Sequence, residues 1–336
     1  MKKYLIKEEG NFYKANLHMH TTVSDGKMTP LEVKEKYKEK GYSIVAYTDH
    51  ELMLPHNDLS DDSFLAITST EISINQRKDC DFRYTKCYHL NILSKDPFRT
   101  EFNTFSEEIM WLKHSYQYLT DKQREVKYKR NYSVECINEM IKMANEEGSL
   151  VTLNHPFWSL QDYEDYIDLK GLWGVEWYNT GCAIVGYLDT YDPIDFLLRK
   201  GENVFPLATD DAHKIDDCFG GFVMVKANDL KYETIYNALK NGDFYSSTKP
   251  LIYELFIEDG VINIKSSKVK KVFINAECRY NKVKADENGF TEAKIDVNDY
   301  LNRNDNVNKH QYLRITLIDE EGNEAHTRAY YPFELK

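Results

Sequence analysis

Cysteine is scarce in this chain, which has only six cysteines, eight prolines and fifteen glycines among 336 residues. No two cysteines form a CxxC pair, and six are too few for a disulfide scaffold. We therefore predict reduced, mostly buried thiols of an intracellular protein. The six are Cys80, Cys87, Cys136, Cys182, Cys218 and Cys278.

Long apolar runs are also missing, since no stretch approaches the roughly 18 residues that a membrane span requires. The first residues, MKKYLIKEEG, begin basic but lead into no apolar segment of the kind found in secretory signals. These absences predict a soluble, cytoplasmic protein with no membrane partner. No repeat, low-complexity tract or Pro/Gly-rich linker marks a domain boundary, so the boundary has to come from a change of pattern.

Positive charge is in deficit, because 43 Lys and Arg stand against 55 Asp and Glu, for a formal net charge of -12. Affinity for nucleic acid comes mostly from basic side chains that neutralise phosphates. The balance therefore argues against long nucleic acids as ligands, although a local basic pocket stays possible. A small substrate is the better expectation.

Apolar runs alternate with helical stretches over the first 245 residues. Strands are predicted at 13–19, 43–48, 64–74, 88–93, 150–153, 174–177 and 204–208. Helices are predicted at 30–40, 104–118, 134–147, 187–200 and 232–240. Strand followed by helix, repeated about seven times, indicates an α/β fold with a parallel barrel or a doubly wound sheet. A barrel is favoured because the candidate ligands follow most of the strands.

After Pro250 the pattern changes to strand-like runs without helices between them, such as LIYELFIEDG and YLRITLIDEEGN. We predict a barrel domain at 1–249 and a small β-sandwich-like domain at 250–336, which either binds a ligand or only covers barrel surface. The stretch 95–132 is predicted to be a helical insertion. It is either a lid over a pocket or an ordinary surface insertion.

Candidate metal ligands begin in the segment NLHMHTTVSDG. His18 and His20 lie two apart at the end of an alternating run, so both side chains project from one face of a strand. Asp25 follows in a loop, and His50 ends the next apolar run. Each position is one where a ligand-bearing loop is expected to begin.

Further carboxylates and imidazoles follow later strands. Glu71 ends the apolar run FLAITST, where a buried carboxylate needs a cation or many hydrogen bonds. His89 opens a strand and is by itself as consistent with a core histidine as with a ligand. His155 follows VTLN, and Asp211 with His213 follows VFPLAT. Repeated placement at strand ends favours metal binding over chance.

These residues and their order resemble the PHP family, the polymerase and histidinol phosphatase superfamily of metal-dependent phosphoesterases. The resemblance covers about residues 13–250 and rests on HMHTTVSDG, TDH, NHP and DAH. It implies a distorted (β/α)7 TIM-like barrel that binds two or three divalent ions. It also implies three ligand sets: His18, His20, Glu71 and Asp211; Asp25, His50 and His213; His89 and His155 with Glu71 bridging. One departure is Asn16, where many relatives have Asp.

A weaker resemblance, carried by VEWYNTG, DDAH and ALKNGDFYSSTKP, points to the carbaryl-hydrolase-like branch of metallohydrolases. Nitrogen and oxygen ligands without thiolate suit Mn, Fe or Zn, and the sequence does not choose among them. The expected catalytic group is a metal-bound hydroxide, with no Ser or Cys nucleophile. Asp49 is a candidate to orient a ligand from behind, or is an ordinary surface Asp.

The function favoured by this reading is a phosphoesterase that acts on small phosphate esters, nucleotide-like or sugar phosphates. Glu176, Asn179 and Lys214 are candidate substrate contacts. An exonuclease of the 5′–3′ phosphodiesterase type is the first alternative, and a carboxyl-ester or carbamate hydrolase is the second. From a different class, a non-catalytic binding module with a vestigial metal site stays open. The sequence does not indicate an oligomeric state.

Overall fold

The computed structural model describes residues 2–303 and 310–336, and shows a mixed α/β fold with one large sheet. The strands are β1 (Lys2–Tyr4), β2 (Asn11–Asn16), β3 (Ile44–Tyr47), β4 (Leu65–Asn75), β5 (Cys87–Leu93), β6 (Leu150–Leu153), β7 (Gly174–Asn179), β8 (Phe205–Thr209), β9 (Phe222–Ala227), β10 (Phe244–Ser247), β11 (Ile252–Glu258), β12 (Val261–Ala276), β13 (Asn281–Asp296), β14 (Leu313–Ile318) and β15 (Glu324–Thr327).

The helices are α1 (Pro30–Glu39), α2 (Asp121–Glu125), α3 (Val134–Glu146), α4 (Tyr163–Tyr166), α5 (Thr180–Ala183), α6 (Asp192–Lys200), α7 (Tyr232–Asn241), α8 (Asn298–Leu301) and α9 (Pro332–Leu335). Short 3₁₀ helices lie at Asn57–Leu59, Phe82–Tyr84, Glu107–Ile109, Lys113–Tyr118 and Ile215–Asp217. No helix in the described ranges is long and apolar enough to cross a membrane.

The sheet follows the order β1-β11-β12-β14-β15-β10-β9-β2-β3-β4-β5-β6-β7-β8, and β13 pairs with β12. Parallel pairing joins β2 to β3, β3 to β4, β6 to β7 and β7 to β8. Just beyond β2 and β8, Met19 forms a parallel bridge with Ala212. The carboxyl ends of these strands therefore meet, because parallel strands deliver their following loops to one edge.

All seven predicted strands of the first part are present, with ends that differ by up to three residues. The alternation of strand and helix is wrong at two points, since only a short 3₁₀ helix separates β3 from β4 and β4 from β5. Strand β5 instead runs antiparallel to both β4 and β6. Strand β5 is buried almost throughout, and a buried run reads the same in sequence whichever direction it is paired.

The helix predicted at 104–118 is also wrong, and the stretch 95–132 is mostly irregular with short turns and α2. Its buried side chains include Phe105, Met110, Ser115 and Leu119. Those intervals of four and five residues do not repeat on one face of a helix with 3.6 residues per turn. The path of the segment is determined by its contacts with the loop after β2. One such contact is the hydrogen bond from Ser115 Oγ to Val23 O, at 2.7 Å.

The strands after residue 250 pair antiparallel and form a core of their own with Leu5 and Ile6. They do not form a separate sheet, since β10 pairs with both β9 and β15, and β1 pairs with β11. Side chains reinforce the junction. Arg314 makes a two-pronged contact with Asp195 of α6, at 2.9 and 2.8 Å. A domain boundary at 249/250 stays a prediction.

Candidate metal centre

The first two candidate ligands follow β2, where the chain stays extended past the end of the strand. His18 and His20 are fully buried, and their Nε2 atoms lie 3.2 Å apart. Asn16 holds this stretch, because its Nδ2 donates to His18 O at 3.0 Å and its Oδ1 accepts from Asp210 N at 3.0 Å. The Asn16 amide therefore holds the stretch that carries both imidazoles.

Nine predicted ligands come together at the carboxyl edge of the strands, in three groups whose donor atoms lie within 4.8 Å of one another. The groups are His18, His20, Glu71 and Asp211; His20, Asp25, His50 and His213; and Glu71, His89 and His155. They match the three implied sets, with His20 shared by the first two. Residues from seven loops and strands contribute, as expected for strand ends that converge.

Glu71 lies at the centre of the cluster. Its Oε1 is 3.2 Å from His18 Nε2 and from His89 Nδ1, and its Oε2 is 3.2 Å from His20 Nε2 and from His50 Nδ1. Asn154 Nδ2 donates to Oε1 at 2.7 Å and fixes the carboxylate. A buried carboxylate surrounded by imidazoles is arranged to share cations with them.

The donors fit divalent cations on two counts. Among the described residues, the buried atoms His20 Nδ1, His50 Nδ1 and Asp211 Oδ1 have no hydrogen-bond partner, which is costly unless another group satisfies them. The donor atoms are also all nitrogen or oxygen, the set that suits Mn, Fe or Zn. This arrangement indicates divalent metal binding, whereas the number and identity of the ions stay predictions.

Charge complementarity within the metal-free cluster shifts the pKa values strongly. Burial works to raise the pKa of Asp25, but His213, His50 and His20 outweigh it and hold that pKa well below its usual range. Burial likewise works to lower the pKa of His20, yet the carboxylates of Asp211 and Glu71 beside its ring raise that pKa to about 10. Without metal the cluster therefore keeps protons on part of its imidazoles, and cations would replace them.

Neighbouring groups determine which nitrogen each imidazole presents. His18 Nδ1 donates to Glu176 Oε1 at 2.8 Å, which leaves Nε2 for the cluster. His155 Nδ1 lies 3.1 Å from Ser159 Oγ. His213 Nδ1 donates to the main-chain oxygen of Asp211 at 3.1 Å. Such outer partners fix the ring orientation and the tautomer of metal-binding histidines.

Backbone strain is concentrated at the same place. His155 and Asp211 have φ values of 29° and 50°, a region that residues other than glycine seldom adopt. Hydrogen bonds from the backbone hold both, since His155 N donates to Glu176 Oε2 and Asp211 N donates to His18 O, each at 2.9 Å. Strain kept by surrounding contacts is typical of functional sites.

The Thr21–Gly26 loop presents Asp25, and Asp49 holds this loop from behind. The Asp49 carboxylate accepts from Thr21 N and Thr21 Oγ1, both at 2.8 Å, and from Ser24 Oγ at 2.6 Å. Asp49 is buried and contacts the loop, so the surface alternative is wrong. A Cβ on Gly26 would lie 2.5 Å from His20 O, so only glycine allows this close approach.

Two predicted substrate contacts lie elsewhere than predicted. Glu176 is fully buried, and its oxygens are taken by His18, His155 N, Asn179 Nδ2 and Thr209 Oγ1. Asn179 is also buried and donates to Asp211 Oδ2 at 3.2 Å. Both lie behind the candidate ligands, in contact with His18 and Asp211, which corrects our placement of them at the pocket surface.

Lys214, the third predicted substrate contact, is exposed beside His213, and its Nζ lies 3.9 Å from Asp217 Oδ1. The ion pair does not saturate the ammonium group, which has three donors. A contact with a phosphate stays a prediction for this residue.

Sequence reasoning missed several buried supports of the centre. Asp210 accepts from Tyr37 Oη at 2.7 Å and from the backbone of Phe219, Gly220 and Gly221. Arg130 makes a two-pronged ion pair with Glu51, with both distances 2.7 Å. The doubled Asp in DDAH could have drawn attention to Asp210, and the Glu in TDHE to Glu51. Nothing near Arg130 in the sequence indicates that Glu51 is its partner.

A cavity of about 660 Å³ opens over the cluster and is lined by seven of the nine candidate ligands. Its other walls include Trp111 from the 95–132 segment, Trp158 from the loop after β6, and Phe82 from the loop between β4 and β5. This volume lies within the range of about 300–1,000 Å³ typical of small-molecule sites.

The fold and the site together define a mixed α/β protein with a candidate divalent metal site at one edge of its sheet, open to a pocket of small-molecule size. No protein-family model matches the chain, and no curated protein matches it significantly in sequence.

Solved structures with a similar fold include a two-domain protein of Bacteroides vulgatus that contains a predicted PHP-like metal-dependent phosphoesterase. It is 13% identical, covers 98% of both chains and has a TM-score of 0.47. A candidate metal-dependent phosphoesterase of Bifidobacterium adolescentis is 14% identical over 69% of this chain and 96% of that chain, with a TM-score of 0.39.

A lesion-specific endonuclease of Pyrococcus furiosus is 19% identical over 69% of this chain and 56% of that chain, with a TM-score of 0.40. The TM-scores of all three neighbours lie below 0.5. At these levels of similarity they do not determine what this chain does, so the function is inferred from its own side chains.

Proposed function

We propose that this chain is a metal-dependent hydrolase of the PHP type that cleaves small phosphate esters. The observation that carries the proposal is the convergence of nine imidazoles and carboxylates, distant in sequence, into three groups of candidate ligands. Strands β2 to β8, joined at their ends by the bridge between Met19 and Ala212, would form the distorted seven-stranded barrel of that family. The carbaryl-hydrolase-like branch stays a prediction from the sequence.

Divalent cations bound at such a centre lower the pKa of a water toward about 7 and neutralise charge that develops on a phosphate. The side chains of this protein would hold the cations and orient the imidazoles that bind them. Glu71, central to the cluster, would be shared between cations, while Glu176 and Ser159 present the Nε2 atoms of His18 and His155. Rigid donors of this kind need little reorganisation during reaction.

The acidic balance of the chain supports a small substrate over a long nucleic acid. The cavity over the cluster supports the same choice, because its volume of about 660 Å³ suits a molecule of nucleotide size. A phosphodiesterase or an ester hydrolase would use the same donors. A substrate screen therefore needs a phosphodiester and a carboxyl ester beside the phosphate monoesters.

The test is elemental analysis of the purified protein, followed by a release assay with Mn, Fe or Zn. Substrates are sugar phosphates, nucleotides, an oligonucleotide and an aryl carboxyl ester. Asp211→Asn is expected to lose bound metal and at least about 100-fold in phosphate release, because even outer partners of a ligand cost 10–100-fold. Asp216→Asn, an exposed position in the same segment, is the matched control and should behave as wild type.

Equal turnover by Asp211→Asn and wild type would overturn the proposal. Cleavage of the oligonucleotide without cleavage of monoesters would favour the exonuclease alternative, and cleavage of the carboxyl ester alone would favour the ester hydrolase. A metal-loaded protein that cleaves none of them would indicate a binding module.

A further inference from the structure

The four tryptophans of the chain divide into two kinds. Trp173 and Trp177 are buried, and their indole N–H groups donate to Leu239 O at 3.0 Å and Ser246 Oγ at 2.8 Å. Both are satisfied core residues. Trp111 and Trp158 line the cavity, and in the described part of the chain neither indole N–H has a hydrogen-bond acceptor. Trp111 is exposed and Trp158 is partly exposed, so both indole N–H groups can meet solvent or a ligand.

The two available indoles lie beside different candidate ligands of the metal centre. The Trp111 ring lies 6.2 Å from the ring of His50. The Trp158 ring lies 5.6 Å from His89 and 5.0 Å from His155. A molecule whose phosphate reaches the candidate ligands would therefore have aromatic rings close to its organic part.

Trp111 is 59% exposed, and Phe82, which lines the same cavity, is 57% exposed. Large apolar side chains kept in contact with water at a concave surface mark a ligand site. The segment around Trp111 is held firmly, because His114 Nε2 donates to Ser24 O and Ser115 Oγ donates to Val23 O, both at 2.7 Å. The exposed ring is therefore presented by an anchored backbone, close to the loop that carries Asp25.

We propose that the substrate carries a planar aromatic group, which stacks on Trp111 and packs against Trp158 while its phosphate faces the metal centre. This inference rests on the proposed function and narrows it, because sugar phosphates lack such a group. Stacking between aromatic side chains and bases is a sequence-tolerant source of affinity. Trp111 and Trp158 are thus specificity-determining residues, and they bind the organic group without taking part in the reaction.

The first experiment compares AMP with ribose 5-phosphate, which differ only in the nucleobase, and measures kcat and KM separately. Wild type should bind AMP with a KM at least about 10-fold lower than that of ribose 5-phosphate. Trp111→Ala should raise the KM for AMP about 10-fold and leave kcat and the KM for ribose 5-phosphate within twofold. Trp111→Phe, which keeps an aromatic face, should retain most of the preference.

Phe98→Ala is the matched control, because Phe98 is an exposed aromatic residue of the same segment that does not line the cavity. It should behave as wild type. Trp158→Ala is expected to lower the same preference as Trp111→Ala. Two results would overturn the inference while leaving the hydrolase proposal intact. One is equal KM values for AMP and ribose 5-phosphate in wild type. The other is Trp variants that change the KM values for both substrates by the same factor.

A second measurement keeps the two proposals separable if no substrate is cleaved. Calorimetric titration of the metal-loaded protein with phenylphosphonate and methylphosphonate compares an aryl with an alkyl ligand directly. Tighter binding of phenylphosphonate, lost in Trp111→Ala, would support the aromatic site even in a protein without turnover. In a protein without turnover, identical affinities of the two phosphonates would refute the inference. A preference for AMP without one for phenylphosphonate would identify a nucleobase as the aromatic group.

Discussion

At the scale of single residues, the centre depends on side chains that lie behind the candidate ligands. Glu176 illustrates this, since its two oxygens accept from His18 Nδ1, Thr209 Oγ1, His155 N and Asn179 Nδ2. It is fully buried and so acts on a ligand only through these contacts. A carboxylate that satisfies four donors specifies both the tautomer and the position of the imidazole in front of it.

Glu176→Gln is therefore expected to weaken metal binding by about 10- to 100-fold, because the new amide turns an NH₂ group toward donors and reduces the basicity of His18. Competition with a chromogenic chelator measures this affinity without any substrate. Glu164→Gln, at an exposed position in α4, is the control and should leave the affinity unchanged. Unaltered metal affinity in Glu176→Gln would show that Glu176 does not position His18.

At the scale of elements, the segment 95–132 supports the metal centre without being a helix. Arg130 is fully buried and joins this segment to Glu51, which directly follows His50 and has a φ of 60°. Arg130 also donates to Ser73 O at 3.2 Å and to Thr104 O at 2.8 Å. One guanidinium thus ties the segment to the strand ends that carry His50 and Glu71.

Arg130→Met should lower the free energy of unfolding by about 3–5 kcal/mol, because Glu51 is left as a buried carboxylate without its cation. The double variant Glu51→Gln/Arg130→Met should recover part of this loss, since no charge is then left unpaired. Urea denaturation of the metal-free forms measures both. Arg83→Met, which breaks an exposed pair with Asp81, is expected to cost less than about 1 kcal/mol. A cost as small for Arg130→Met would contradict the buried-pair interpretation.

At the scale of the whole molecule, the metal-free protein concentrates charge in its interior. Burial opposes the charged form of every group there, but carboxylates outweigh it at His18, His20, His89 and His155, and raise the pKa of each imidazole above 6.5. For His20 the pKa is raised to about 10. The folded state therefore binds more protons than the unfolded state at neutral and mildly alkaline pH.

The stability of the metal-free protein should consequently fall as the pH rises from about 6.5 toward 10. The contribution of these imidazoles is complete below the unfolded pKa of about 6.5 and is lost as the folded groups release their protons. Bound cations replace the protons, so the metal-loaded protein should be more stable and show a smaller fall. Urea midpoints at pH 6.5, 7.5 and 8.5, with and without chelator, measure this. A metal-free midpoint that rises with pH would contradict the assignment.

Local sequence patterns were sufficient to predict the strands of the first part of the chain and most of the candidate ligands. Apolar runs predicted the seven strands β2 to β8, because the alternation and length of such runs are properties of neighbouring residues. The ends of these runs located most of the nine donors that the structure brings together, whereas His89 opens its strand and was assigned only through the family resemblance. A strand end is recognisable in sequence, and parallel strands carry their ends to one edge, so convergence of the donors was predictable before their distances were known.

Tertiary structure alone decided the rest. The antiparallel direction of β5, the irregular path of 95–132 and the joining of β1 and β15 to the main sheet depend on partners far away in the chain. The same holds for Glu176 beneath His18 and for Arg130 beside Glu51. Sequence determined which residues are candidate metal ligands, since periodicity and residue type are local. Packing determined which side chains face the pocket and which hold the ligands, because burial depends on every neighbour in space.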